Sequence, residues 1–165
     1  MKKVRVLFVC LGNICRSPTA EGVFRHKVKQ AGLADKIEMD SAGTAAYHLG
    51  NPPDSRSQRA AKKRDIDLAD LTARQVSSED FFNFDYVLAA DQQNLAILKN
   101  RLAEVSHGEP PPKAKVQLFL DYLGQGRGKE IPDPYYGGAE GFEEVLDLCE
   151  QASDQLLDTI RKDIS

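Results

Sequence analysis

Val4-Arg5-Val6-Leu7-Phe8-Val9-Cys10-Leu11-Gly12-Asn13-Ile14-Cys15-Arg16-Ser17-Pro18 is the stretch from which both fold and chemistry are read. Val4–Val9 is β-branched and almost continuously apolar, the pattern of a parallel strand covered on both faces. Ser17-Pro18-Thr19-Ala20-Glu21 reads as a helix start, with Ser17 at the cap, Pro18 in the first turn and Glu21 within reach of the helix dipole. A loop of this length, joining a buried strand to a helix N-terminus, can turn successive backbone N–H groups inward as an anion cradle. Gly12 and Asn13 are residue types that tolerate the positive φ such a curl needs. Arg16 follows Cys10 by six positions, so its guanidinium can return over the loop and grip two oxygens of a phosphate. Cys10 is placed at the bottom, where positive surroundings favour the thiolate. A nucleophile beneath a tetrahedral oxyanion cradle implies phosphoryl transfer through a phosphocysteine. A Cys-to-Arg spacing alone is common, and Cys10 alone would be an ordinary buried strand residue. The conjunction of strand, thiol, Gly-Asn turn, Arg and Ser-Pro helix start carries the reading. A nucleotide P-loop is excluded, because the second Gly followed by Lys and Ser/Thr is missing.

Outward from this stretch, strands and helices alternate. The first helix is expected to run to Ala31 and stop at Gly32, with a second strand over Ile37–Ser41 ending at Gly43. Gly50–Asp54 reads as a loop, followed by a basic helix to about Arg64. Tyr86–Ala90 is a third strand, and Asp91 can cap a helix over Asn94–Leu102. His107–Pro112 is a proline-rich turn. Val116–Leu120 is a fourth strand, although Leu118 could equally begin a short helix. Gly124–Gly141 is loop-rich, and Phe142–Arg161 is a long amphipathic closing helix. The alternation implies an α/β layer sandwich with a parallel sheet, whose ligands bind at the carboxyl ends of the strands. Cys10 lies at one such end.

A chain of 165 residues and 18.3 kDa, with 41% apolar and 28% charged residues, is one globular domain spanning 1–165. The net charge of -3 and pI near 5.6 speak against nucleic-acid or membrane partners, and no apolar run is long enough for a membrane span. The N-terminus imitates a signal peptide, but its apolar run is short. Gly-Asn and Arg follow where a cleavage site should lie, so a cytoplasmic protein is expected. Three cysteines fit reduced thiols better than a disulfide framework. Residues 1–36 hold eight Lys/Arg against two acids, while residues 133–165 hold two against nine. That asymmetry suits a small anionic ligand near the start of the chain, and equally suits helix faces that merely differ in sign. His26, His48 and His107 show no metal-ligand spacing. Cys149 is expected on the packed face of the closing helix. Arg56, Arg59, Lys62, Lys63 and Arg64 form a basic face that reads as solvated surface, with steering of acidic phosphopeptides as the alternative.

At Val9–Ser17 the chain resembles the low-molecular-weight protein tyrosine phosphatases. Asp40-Ser41-Ala42-Gly43-Thr44, Gly50-Asn51-Pro52-Pro53-Asp54, Ala73-Arg74-Gln75-Val76, Phe84-Asp85-Tyr86-Val87-Leu88 and Asp133-Pro134-Tyr135-Tyr136 resemble further segments of the family, in order, from Val4 to about Ile160. The resemblance is to the eukaryotic-type members with an Asp-Pro-Tyr-Tyr loop. It implies a three-layer sandwich with a central four-stranded parallel sheet, and phosphotyrosine hydrolysis with no metal and no cofactor. Phosphotyrosine-bearing proteins would be its partners, and inorganic phosphate its product and inhibitor.

Asp-Pro by itself is usually a turn; the resemblance makes Asp133 the general acid, then the base for water, beside Cys10 and Arg16. It also places Leu11, Gly12, Asn13, Ile14, Cys15 and Ser17 around the phosphate, with Tyr47 and Tyr135 flanking the aryl ring and His48 nearby. Ser17 becomes a thiolate-stabilising hydroxyl, and Asn13 and Ser41 hold the loop. Tyr136 is a supporting residue, often phosphorylated in eukaryotic-type members. Leu71 stands where the family commonly has a histidine, which leaves the loop's support network incomplete. Cys15 is implied as a redox partner, closing a disulfide on oxidised Cys10.

Two other functions compete. A thioredoxin-coupled arsenate reductase of the same fold would need further cysteines after the third strand, and none lies between Tyr86 and Lys113. A non-catalytic phosphate-binding module would be expected to have lost Cys10, Arg16 or Asp133.

Overall fold

The apolar run Val6–Cys10 needs cover on both sides, and the structure supplies it, burying all five residues. The computed structural model describes residues 3–124 and 129–164. In chain order the elements are β1 (Val4–Cys10), α1 (Arg16–Gln30), β2 (Ile37–Gly43), α2 (Ser55–Lys62), α3 (Asp80–Asn83) and β3 (Tyr86–Ala89). There follow α4 (Gln92–Val105), β4 (Lys115–Leu118), a 3₁₀ segment over Phe119–Leu123, and α5 (Ala139–Ile164). The four strands form one parallel sheet in the order β2-β1-β3-β4. The expected four-stranded α/β sandwich is therefore the observed one.

β1 is central, and its side chains alternate between two cores. Val6, Phe8 and Cys10 join α1, α5 and the 3₁₀ segment on one side, while Leu7 and Val9 join Val76, Phe81, Phe84 and Leu98 on the other. Phe8 packs edge-on against both Phe24 and Phe119, with ring centroids 5.7 and 5.0 Å apart. Strand order reverses beside β1, so the carboxyl ends of β1 and β3 open onto the crevice where such sheets take ligands.

Element ends differ from expectation for local reasons. α1 stops at Gln30, one residue early, as Ala31 caps it and Gly32 turns at φ +72. β2 continues to Gly43 because β1 pairs with it through Cys10↔Gly43. Both readings of the fourth strand hold in part, since β4 ends at Leu118 and the 3₁₀ segment begins at Phe119. α3, four residues long, gives too short a periodic signal to be read. α5 begins earlier and ends later than Phe142–Arg161. Of the Gly124–Gly141 loop, positions 125–128 lie outside the described residues.

Gly43 ties three segments together. Its N–H donates to the Arg74 carbonyl, and its carbonyl accepts from Val76 N–H, both at 2.8 Å. A Cβ there would lie 2.7 Å from the Leu11 carbonyl oxygen, in the loop after β1. Gly43→Ala is accordingly expected to destabilise the fold by roughly 1–3 kcal/mol, measured by urea denaturation. Gly108→Ala, with open space around it, should stay within about 0.5 kcal/mol of the parent.

Candidate active site

The chain leaves β1 at Cys10 and enters α1 at Arg16, and Asn13 makes the turn at φ +59. Gly12 does not take the positive φ expected of it. It is small because His48 lies close, where a Cβ would meet the ring's Cδ2 at 2.9 Å. Ser17 is not the helix cap either. Helix α1 begins two residues earlier than a Ser17 cap implies, at Arg16, with Cys15 in the cap position and no side chain capping it. The leading N–H groups of α1 are thus left for an anion.

Ser17 instead turns toward the thiol, with Oγ 3.0 Å from Cys10 Sγ. Asn13 Nδ2 donates to Ser17 Oγ at 2.8 Å and to Ser41 Oγ at 2.9 Å, and Asn13 Oδ1 accepts from Arg74 N–H at 3.0 Å. With Asn13 donating to its oxygen, the Ser17 proton can turn to the sulfur at 3.0 Å or to the Ala42 carbonyl at 3.5 Å. Ser41 Oγ donates in turn to Glu21 Oε1 at 2.7 Å. Behind the loop the network runs on through Ser41 to Glu21, while Leu71 packs against the apolar core and takes no part in it. Glu21 is buried among these groups rather than merely facing the helix dipole. Burial, with Asp40 adding to it against the Ser41 hydrogen bond, pushes its carboxyl up to about 7.

Arg16 is 3% exposed. Its Nη1 donates to Asp91 Oδ2 at 2.8 Å and to the Ile131 carbonyl at 2.9 Å, which orients the guanidinium. Its Nη2 lies 3.8 Å from Asp133 Oδ2. Asp91 also caps α4 through Asn94 N–H; the sequence signalled the cap, while the ion pair needed the adjacency of the β1 and β3 ends. Asp133 is half exposed, and its Oδ1 accepts from Tyr135 N–H at 3.0 Å.

Cys10, Arg16 and Asp133 thus meet in one pocket of about 330 Å³. Leu11, Gly12, Ile14, Cys15, Tyr47, His48, Tyr135 and Tyr136 line it as well. The Tyr135 ring centroid lies 6.4 Å from His48 and 4.9 Å, edge-on, from Tyr136. Tyr136 is the most open of the wall residues at 93% exposure, and Tyr47 follows at 74%. Asn13, Ser17 and Ser41 lie behind the loop, buried. Cys149 is buried in α5, as expected. Of the basic face, Arg64 is held by Glu143, Asp147 and Glu150, and Arg56 by Asp54. Among the described residues, no cluster of three or more His, Cys, Asp or Glu could hold a metal ion.

A thiol, an arginine and an uncapped helix end at the carboxyl edge of a parallel sheet define a phosphate-binding α/β site. Comparison narrows the class. The sequence profile described as low molecular weight phosphotyrosine protein phosphatase matches residues 5–165. A low molecular weight phosphotyrosine protein phosphatase of Schizosaccharomyces pombe is 48% identical over 142 residues, 86% of this chain and 86% of that protein. The crystal structure of YfkJ from Bacillus subtilis superposes with a TM-score of 0.88 at 38% identity, covering 100% of this chain and 99% of that one. A Drosophila arginine phosphatase superposes with a TM-score of 0.87 at 34% identity, covering 97% and 98%. The chain belongs to the low molecular weight phosphotyrosine protein phosphatase family, and is an enzyme of that family.

The raised carboxyl of Glu21 has a stability consequence. The folded state holds this proton more tightly than the unfolded chain does. Its contribution is therefore fully present below the ordinary Glu range near 4.5 and is lost as pH rises through about 7. Glu21→Gln keeps a partner for Ser41 but carries no charge. It should raise stability relative to the parent at pH 8 by roughly 2–3 kcal/mol and change it little at pH 4, as read by thermal melts at both pH values.

Proposed function

We propose that the enzyme hydrolyses phosphotyrosine and small aryl phosphates by two displacements at Cys10. The observation that carries this is Cys10 Sγ lying beneath the uncapped start of α1, beside the Ser17 hydroxyl, in the same pocket as Arg16 and Asp133. Loop N–H groups and the remaining Arg16 edge, Nε and Nη2, hold the phosphoryl oxygens. The Cys10 thiolate attacks phosphorus, the ester P–O bond breaks, and Asp133 gives its proton to the departing phenolate. Water then attacks the phosphocysteine, Asp133 takes a proton from it, and the thiolate leaves as phosphate is released. Leu11 and Ile14 form apolar pocket surface, and Tyr47 and Tyr135 wall the flat ring. Among the described residues Asp133 is the one carboxylate lining the pocket, so a neutral aryl ring suits the walls better than the cationic leaving group of a phosphoarginine. Phosphotyrosine-bearing proteins are the substrates and inorganic phosphate is a product inhibitor. We place this single-domain enzyme in the cytoplasm on its odd count of three cysteines, which suits free thiols better than a disulfide framework.

Asp133→Ala should lower kcat/KM for phenyl phosphate by roughly 10²–10⁴-fold, and far less for 2,4-dinitrophenyl phosphate, whose leaving group needs no proton. Equal losses on both substrates would remove Asp133 from the acid role. Cys10→Ser should be inactive yet still bind phosphate by calorimetry.

Cys15 completes the reading as a protective thiol. Peroxide oxidises the Cys10 thiolate to a sulfenic acid, releasing hydroxide. Cys15 then displaces the hydroxyl as water, closing a disulfide that dithiothreitol reopens. Burial, with Asp54 adding to it, pushes the Cys15 thiol up to about 12. Its attacking thiolate therefore grows about tenfold per pH unit across neutrality, and ring closure after peroxide should quicken from pH 6 to 8. Cys15→Ser should be active when reduced but lose its dithiothreitol recovery after prolonged peroxide; full recovery would contradict the protective role.

A further inference from the structure

Asp133 stands on a segment whose two sides are held differently. On the near side Ile131 is buried, its N–H donates to the Ala90 carbonyl at 2.8 Å, and its carbonyl accepts from Arg16. On the far side, among the described residues, Tyr135 N–H donates to Asp133 and Gly137 N–H to the Pro134 carbonyl, both local bonds. That side runs into α5 at Ala139, and its Tyr135 is packed against Arg56.

The Arg56 guanidinium carbon lies 5.4 Å from the Tyr135 ring centroid and 4.7 Å from that of Phe142 in α5. Its Nε and Nη2 donate to the two oxygens of Asp54, both at 3.0 Å. Asp54 also caps α2 by accepting from Arg56 N–H, and its own N–H donates to the Ile14 carbonyl in the phosphate loop at 2.8 Å. One side chain thus connects the phosphate loop, through Asp54, to the aromatic two residues beyond Asp133. A planar guanidinium can chelate a carboxylate with its edge and stack rings on its faces at once; an ammonium cannot.

We infer that Arg56 is a positioning residue for the general acid, bracing Tyr135 so that Asp133 stays over Cys10 and Arg16. It touches neither the reacting atoms nor, in this role, the substrate. The inference rests on the general-acid reading of Asp133, and the test separates the two.

The experiment measures kcat/KM of the wild type, Arg56→Ala, Arg56→Lys, Asp133→Ala and the Arg56→Ala/Asp133→Ala double variant. The substrates are phenyl phosphate and 2,4-dinitrophenyl phosphate, too small to reach a docking surface. Arg56→Ala should lose about five- to thirtyfold on phenyl phosphate, the span of a partly desolvated cation–π contact, and less than about twofold on the dinitrophenyl ester. In the Asp133→Ala background the same change should cost less than about twofold, because the acid it serves is gone. Arg56→Lys should recover only part of the loss. Arg56→Met, which keeps the aliphatic stem, replaces the alanine variant should that one fail to fold, with the same expectation. Equal losses of Arg56→Ala on both esters, or an undiminished loss in the Asp133→Ala background, would overturn the role of Arg56 while leaving Asp133 as the acid. An Asp133→Ala variant indifferent to the leaving group would overturn both.

Discussion

Asn13 sits in the left-handed region with all three side-chain hydrogen bonds directed, two donated to Ser17 and Ser41 and one accepted from Arg74 N–H. Those bonds anchor the curl of the loop from three directions, namely α1, β2 and the Arg74 segment. The consequences run outward from there. Because the curl is held from behind, Cys10 ends β1 beneath the start of α1 rather than continuing into the sheet. Because Asn13 donates to the Ser17 oxygen, the Ser17 proton can turn to sulfur, the nearer of its two acceptors. Because Cys15, with no side-chain hydrogen bond to the helix, stands at the cap position, the first N–H groups of α1 are left uncapped. A conformation that costs of order 1 kcal/mol for a non-glycine residue is offset by a fully satisfied, buried polar network, the condition under which such networks specify one structure.

The second constraint is charge. Arg16 is buried, and Asp91 pairs with it across the sheet's switch point, while Asp133 stands within 3.8 Å. The site is thus built around one cation oriented by a neighbouring strand end, with the acid carried on a separate loop. Arg56 occupies the complementary place on the outer wall, its charge matched by Asp54 and its faces turned to aromatic rings. Each of the two arginines is thus oriented by one carboxylate, Arg16 by Asp91 and Arg56 by Asp54.

Much of this was legible in the residues. The apolar run of Val4–Val9 fixed β1 at the centre of a parallel sheet, since only a strand covered on both faces reads that way. Cys10, the Gly-Asn turn and Arg16 point to an anion loop only in conjunction with the strand before them and the Ser-Pro helix start after them. Asp133 was different, because Asp-Pro is a turn signal first and only the family resemblance made it an acid. What stayed hidden depends on contacts between distant positions. Glu21 looked like a first-turn helix acid, and nothing nearby in sequence announces Ser41 as its partner. Asp91 looked like a cap, which it is, and its pairing with Arg16 required β1 and β3 to be neighbours. Gly12 was assigned a backbone role that Asn13 performs alone, because proximity to His48 is not a sequence pattern. Arg56 belonged to a run of basic residues on α2 that read as solvated surface, and two aromatic rings from the far end of the chain give it its place.

The central claim is that the phosphoryl group passes through Cys10 sulfur. Rapid quenching of the wild type and Asp133→Ala during turnover of an aryl phosphate, followed by peptide mass spectrometry under conditions that preserve thiophosphate esters, tests it most directly. The account predicts one phosphoryl group on the peptide bearing Cys10, at a substoichiometric level that rises in the first turnover and disappears when substrate is exhausted. Phosphate on any other side chain, or turnover in which Cys10 is never modified and Cys10→Ser retains activity, would contradict it.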